Sequence, residues 1–227
     1  MRAAKEMALP PGVELTIFSP PAVGRLRTNF FSCFSTLVRE FQAELLALGC
    51  PLATFQAVDS ELAGLPGVYD PTSGGALWLC CIPTHSNGAD VALVAHWPPE
   101  LTLHLGCLGA HAVLGCVALR RMEGRDGARE VKRLIVTSRA RRLGAGRALL
   151  GAAVDRAREA GATEALLDSL GRLRAAGALY KAEGWEPCAP YCHNPMEDAL
   201  FFRLALRTAD GAEVLPKEGA RAARILV

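Results

Sequence analysis

Long apolar runs are missing from this chain. No stretch reaches the roughly 18 uncharged apolar residues that a membrane-spanning helix needs, so no membrane partner is expected. The longest apolar tract, through VALVAHW and LTLHLGCLGAHAVLGCVAL, is broken by Pro98, Pro99 and Glu100 and reads as strands. Aromatic residues are scarce, at 6%, and do not interleave with the basic ones. A stacking platform for single-stranded nucleic acid is therefore not expected. The eight cysteines lack the paired ligand spacing of a zinc site. Cys80 and Cys81 are adjacent, Cys107 and Cys116 lie in apolar runs, and CAPYCH (188–193) has no second ligand pair, so no metal is expected. Cysteines in such surroundings read as small buried hydrophobes of a reducing compartment, which points to the cytoplasm. The segment MRAAKEMALPPG has no apolar signal core. Its Arg and Lys leave room for an organelle-targeting peptide, against which Glu6 weighs. No internal repeat, P-loop or Rossmann glycine fingerprint is present.

What the chain does have is a soluble globular composition, 51% hydrophobic and 21% charged over 227 residues. The net charge is only +2, yet residues 120–147 carry ten Lys or Arg against Glu123, Asp126 and Glu130. Such a cluster suits a phosphorylated ligand, or else a solvated basic face. VELTIF (13–18) alternates with period two and predicts a strand, after an N-terminal extension at 1–12. Phe30, Phe34, Leu37, Val38, Phe41, Leu45 and Leu48 recur at spacings of three and four, predicting an amphipathic helix ended by Gly49 and Pro51. VDSELAGLPG offers a short second helix. GALWLCCI (75–82) and AVLGCVALR (112–120) read as strands, with a long connection between them over 83–110 that looks strand-like around VALVAHW and LTLHL.

In the second half, EVKRLIV (130–136) predicts a strand, and a helix carrying Leu149, Leu150, Ala153, Val154 and Ala157 stops at Gly161. EALLD (164–168) is a short strand. A helix with Leu173, Ala176 and Tyr180 on one face ends at Gly184, and ALFFRLAL (199–206) is a last strand. Residues 207–227 lose the pattern and read as a tail. The sum is an α/β (α+β) domain over 13–206, a largely antiparallel sheet with helices on both faces.

Between the 130–136 strand and its helix lies RARRLGAGRALL (139–150). Glycines at 144 and 146 remove Cβ atoms so that successive N–H groups can close on an anion, and the helix N-terminus adds its dipole. Glycines for close helix packing would leave the same pattern. In this order of elements the chain resembles the GNAT superfamily of acyl-CoA N-acyltransferases, from about residue 52 to 206. The C-terminal part is similar through EVKRLIV, RARRLGAGRALL, AREAGATEALLDSL and AAGALYKAEGWEPCAPY. The N-terminal part is similar, through FQAVDSELAGLPGVYDP, GALWL and GCVALR, to a bacterial-type subgroup of small acetyltransferases.

The resemblance implies a mixed, mostly antiparallel sheet with two strands splayed at the cofactor site. It implies acetyl-CoA as cosubstrate, with the diphosphate on the loop formed by Arg141, Arg142, Leu143, Gly144, Ala145, Gly146 and Arg147. Arg139, Arg141 and Arg147 are candidates for the adenosine-side phosphate. The thioester carbonyl is expected to take a backbone N–H from Leu134, Ile135 or Val136. The usual Arg-Gly pair is Arg141-Arg142 here, which asks Arg142 to keep an ordinary backbone conformation. Many relatives have an asparagine where Leu173 stands.

Amide formation needs a neutral amine, a polarised carbonyl and a proton for the departing thiolate. Glu130 precedes Val136 by six residues, so a strict period of two puts both on one strand face. The resemblance makes Glu130 a general base, directly or through water. Its plainer role is a strand-start glutamate paired with Lys132 or Arg133. Tyr180, in LYKAEGW, is the counterpart of a tyrosine that returns a proton to the coenzyme sulfur, or it is a core ring on the Leu173 stripe. Arg120, Tyr191 and Asn194 fall where the family binds acceptors. The expected activity is direct acetyl transfer to a primary amine of a small molecule or peptide. The alternative is a non-catalytic coenzyme A-binding regulatory module. Nucleic acid is not an expected partner, and a homodimer is compatible with the sequence.

Overall fold

The alternating runs near the N-terminus become β1 (Thr16–Phe18) and β2 (Ala76–Pro83) in the computed structural model. It describes residues 14–20, 25–51, 57–86, 89–90, 92–206 and 224–226. Between these strands run α1 (Arg25–Ala47) and the short α2 (Val58–Ala63). Two two-residue strands, β3 (His85–Ser86) and β4 (Ala89–Asp90), form a separate hairpin, and β5 (Thr102–His104) and β6 (Ala110–Arg121) follow. The C-terminal half contributes β7 (Ala128–Val136), α3 (Ala145–Glu159), β8 (Glu164–Leu170), α4 (Arg174–Ala182), β9 (Glu186–Pro187) and β10 (Ala199–Ala205). A last strand, β11, spans Arg224–Leu226.

One nine-stranded sheet carries all but the β3–β4 hairpin. Its order is β11-β1-β2-β6-β7-β8-β10-β9, with β5 paired to the far end of β6. Neighbours are antiparallel except β1 with β11 and β7 with β8. Residues 224–226 therefore belong to the sheet, correcting the reading of that stretch as tail; residues 207–223 and 227, like 1–13, lie outside the described residues. The expected strand at VALVAHW is also overturned. Ala92–Val94 form one turn of 3-10 helix, and Val94 is buried against the sheet. A short apolar run cannot by itself distinguish strand from buried turn. LTLHL does give β5, which continues the β7 side of β6 beyond Val136. The 83–110 connection thus extends the sheet at the Val136 end of β7, away from Arg120 and Glu130.

Two apolar layers sandwich the sheet. Phe30, Phe34 and Leu37 of α1 meet Leu77, Leu79, Cys81, Val113, Cys116 and Ile135 on one face. Leu149, Leu150 and Ala153 of α3 and Tyr180 of α4 meet Trp78, Cys80, Leu114, Val117 and Val131 on the other. Burying a Phe or Leu side chain contributes about 1.5–3 kcal/mol, so these stripes fix which face each strand residue takes.

Candidate active site

Two irregularities open the sheet at one place. The parallel pairing of β7 with β8 covers only Ala128–Glu130 against Glu164–Leu166, although β7 runs on to Val136 and β8 to Leu170. Beyond Glu130 the strands part, which leaves a wedge with its vertex at Glu130/Leu166. On its other side β7 stays paired to β6 with one extra residue, since Cys116 faces Ile135 but Ala118 faces Lys132. Arg133 sits in this bulge at φ +54. The bulge shifts the side-chain alternation. Val131 and Val136 both join the α3 layer while Ile135 joins the α1 layer. Glu130, adjacent to Val131, faces away from the α3 layer. Glu130 and Val136 are thus on opposite faces, correcting the period-two expectation, because a bulge adds one residue to the count.

At the wide end of the wedge the chain turns through Ser138–Ala140 into the glycine loop. Arg142 has φ +68 and Gly144 φ +88. Arg142 therefore does not keep an ordinary backbone conformation. It takes the left-handed form that glycine adopts freely, at about 1–2 kcal/mol for an L-residue. The alternation brings successive N–H groups toward one side, as in an anion-binding nest. Among the described residues no side chain caps the N-terminus of α3, which leaves its first amides available to an anion. A Cβ at Gly146 would meet the side chains of Leu179 at 3.4 Å and Val136 at 3.6 Å, ordinary contact distances, so packing does not demand glycine there. The Oγ1 of Thr137, at the mouth of the wedge, is buried without a hydrogen-bond partner among the described residues. Arg141 pairs with Glu44 and Arg147 with Glu183, so both guanidiniums stand beside the loop and at the surface. Leu173 is the N-cap residue of α4.

Tyr180 reaches the wedge from the α3–α4 side. Its ring packs on Phe202 at 5.4 Å and Trp185 at 6.3 Å, and its hydroxyl bonds Ser169 of β8. Burial pushes its pKa up to about 12, against the hydrogen bond from Ser169 and with a contribution from Asp168. The phenol is therefore a core ring that stays protonated at neutral pH.

The opposite face carries a network of charges. Arg120 of β6 reaches Glu130 Oε2 through both Nε and a terminal nitrogen at 2.6 Å. Lys132 Nζ lies 2.8 Å from Asp168 Oδ1 and 3.4 Å from Glu130 Oε1. The Tyr191 hydroxyl donates to Glu130 Oε1 at 3.2 Å, and the Asn194 amide to Asp168 Oδ2 at 2.8 Å. Burial opposes both charges of the Lys132–Asp168 pair. Their mutual attraction, with Glu130 aiding the lysine and Asn194 the aspartate, nonetheless holds Lys132 above and Asp168 below the usual range. Arg133 turns away to bind Glu61 of α2 with both arms, at 2.9 and 2.6 Å, and Tyr69 donates to the same carboxylate at 3.0 Å. Glu130 is thus paired with Lys132, as its plainer role foresaw, and with Arg120 in place of Arg133.

The structure brings together Arg120, Glu130, Tyr191 and Asn194, from three distant stretches. Asp168, Glu61 and Thr137 were missed. Asp168 lies in a recognised strand, but only the separation of β7 from β8 shows that its side chain meets Lys132. Glu130, Asp168 and Cys192 place ligand atoms within 4.8 Å of one another, and the two carboxylates are paired with the two cations Arg120 and Lys132.

The matches to known proteins agree with this geometry. The model of the acetyltransferase (GNAT) family matches residues 76–185. An uncharacterized N-acetyltransferase of Schizosaccharomyces pombe is 31% identical over 173 residues, 76% of this chain and 86% of that protein. An acetyltransferase structure from Streptococcus agalactiae superposes with a TM-score of 0.56 at 15% identity, covering 86% of this chain and 99% of that one. A GNAT-family acetyltransferase from Staphylococcus aureus gives 0.56 at 15% identity, over 85% and 99%. Among the described residues no helix is long and apolar enough to cross a membrane. The fold, the wedge and the loop therefore meet in one conclusion: the chain belongs to the GNAT family of acetyltransferases.

Proposed function

We propose that the protein transfers an acetyl group from acetyl-CoA to a primary amine by direct attack in a ternary complex. The observation that carries this reading is the wedge: two adjacent parallel strands stop pairing at Glu130/Leu166 and continue apart, with an uncapped helix N-terminus at the open end. An extended arm whose diphosphate rests on the amides of Arg142 to Arg147 would lie between β7 and β8. Its thioester would then meet the N–H groups of Leu134 to Val136, near the bulge. Arg139, Arg141 and Arg147 supply positive charge for a further phosphate. Tyr180 then gives its proton to the departing thiolate, and Glu130 takes one from the amine. The acceptor enters from the face lined by Arg120, Tyr191 and Asn194, opposite Tyr180.

One observation favours the alternative of a coenzyme-binding regulatory module: Glu130 is only 1% exposed and tied to two cations. Calorimetric titration with acetyl-CoA, followed by thiol release with a panel of amines and peptides, separates the two. Binding with transfer supports the enzyme. Binding without transfer to any acceptor leaves the module.

A further inference from the structure

Glu130 can act as a base only if a proton reaches it. Its carboxylate is buried, and the side chains that hydrogen-bond to it or pair with it among the described residues are Arg120, Lys132 and Tyr191, with the Cys192 thiol within 4.8 Å but beyond hydrogen-bond reach. A guanidinium and an ammonium have no acceptor lone pair and cannot pass a proton inward while remaining charged. A phenol can, because its oxygen accepts one hydrogen bond while donating another. We infer that Tyr191 is the relay through which the attacking amine delivers its proton to Glu130. This inference rests on the proposed acetyl transfer.

The placement is fixed. The Tyr191 ring packs edge-on against Phe201, with centroids 5.5 Å apart and planes at 80°, which aims the hydroxyl at Glu130 Oε1. Tyr191 is half-buried on the acceptor face, while Glu130 lies beneath it. Burial, followed by the negative charge of Glu130, Asp168 and Cys192, holds the phenol well above its ordinary range. It therefore donates to Glu130 at rest and passes a proton along without becoming a free tyrosinate. Arg120 and Lys132 are the cations facing the same carboxylate; they hold it where the Tyr191 hydroxyl donates to it.

In the step, the neutral amine nitrogen forms a bond to the acetyl carbonyl carbon and the C–S bond breaks. One N–H proton passes to the Tyr191 oxygen as the phenol proton passes to Glu130. The thiolate takes the Tyr180 proton. Glu130 ends protonated and Tyr180 ionised, and exchange with solvent restores both.

The test is Tyr191→Phe, which keeps the ring and its packing on Phe201. Acetyl-CoA is combined with spermidine, phenethylamine and a short peptide with a free N-terminus, and thiol release is followed in H2O and D2O. For the fastest amine, kcat should fall ~10²-fold, the lower range for general base catalysis. Acetyl-CoA affinity and thermal midpoint should not change. The dependence on deuterium fraction should be curved in the parent, where more than one proton moves, and linear in the variant. Full turnover in the variant overturns the relay, and so does a loss of kcat matched by losses of affinity and thermal stability. Acetyl-CoA binding without transfer to any amine by the parent protein overturns the proposed function and the relay with it.

Discussion

The two sides of the wedge are built by different means. On the diphosphate side the work falls to the backbone: positive φ at Arg142 and Gly144, and an α3 N-terminus without a side-chain cap. On the acceptor side it falls to side chains from β6, β7, β8 and the 191–194 segment, locked into alternating ion pairs. A backbone site needs a local motif and tolerates varied side chains. A side-chain site needs each residue to arrive from a different part of the chain. The first should therefore be sensitive to changes in backbone and shape, and the second to changes in charge.

The largest expected effect comes from closing the backbone site. Gly144→Glu puts an L-residue at φ +88, its Cβ 3.7 Å from Leu15, and adds a negative charge to the loop proposed to hold the diphosphate. Acetyl-CoA affinity should fall by ~10³-fold or more, about 4 kcal/mol, measured by calorimetry. Unchanged affinity would remove the loop from the site. Next comes Tyr180→Phe, which retains the packing on Phe202 and Trp185 and deletes the proton donor. Turnover should fall ~10²-fold, with acetyl-CoA affinity unaffected; equal turnover would leave Tyr180 a packing residue only.

Acid should strike the other side. Burial opposes the charge of Asp168 and of Glu61, but Lys132 and Arg133 respectively hold both pKa values below the ordinary range. Such depressed groups add stability that is complete above the unfolded-state values of about 3.9 and 4.3, and lost as pH falls through the native ones. Below about pH 4 the unfolded chain binds more protons than the native one, so stability should rise with pH there. Urea midpoints measured from pH 3 to 6 should show this slope, and Glu61→Gln should flatten it. A slope untouched by that substitution would show the Glu61–Arg133 pair to be energetically silent. The smallest effect is a gain. Arg142→Gly relieves the left-handed strain, partly offset by greater freedom of the unfolded chain. It should stabilise by about 0.5 kcal/mol in denaturant titration. A loss would mean that the arginine side chain holds the loop.

Much of the fold could be read in advance because most strands and helices announce themselves by period. The α1 stripe, the two helices ended near Gly161 and Gly184, and the strands at 75–82, 112–120, 130–136, 164–168 and 199–206 all appear. Ala92–Val94 did not behave as a strand, since a short apolar run fits a buried turn equally well. The short β11 could not be seen either. Three residues hold no periodicity, and only β1 beside them defines a strand.

By itself, then, the sequence determined the layered α/β order, the glycine loop between strand and helix, and the positions of Glu130 and Tyr180 along the chain. These are local matters of periodicity, backbone freedom and motif spacing. Only the tertiary structure decided that β7 bulges at Arg133, that β7 and β8 part after Glu130, and that Glu130 faces Arg120 and Tyr191, not the side of Val136. A bulge and a splay depend on what the neighbouring strands can pair with, and an ion-pair network depends on residues tens of positions apart arriving together. Neither leaves a local trace in the order of amino acids.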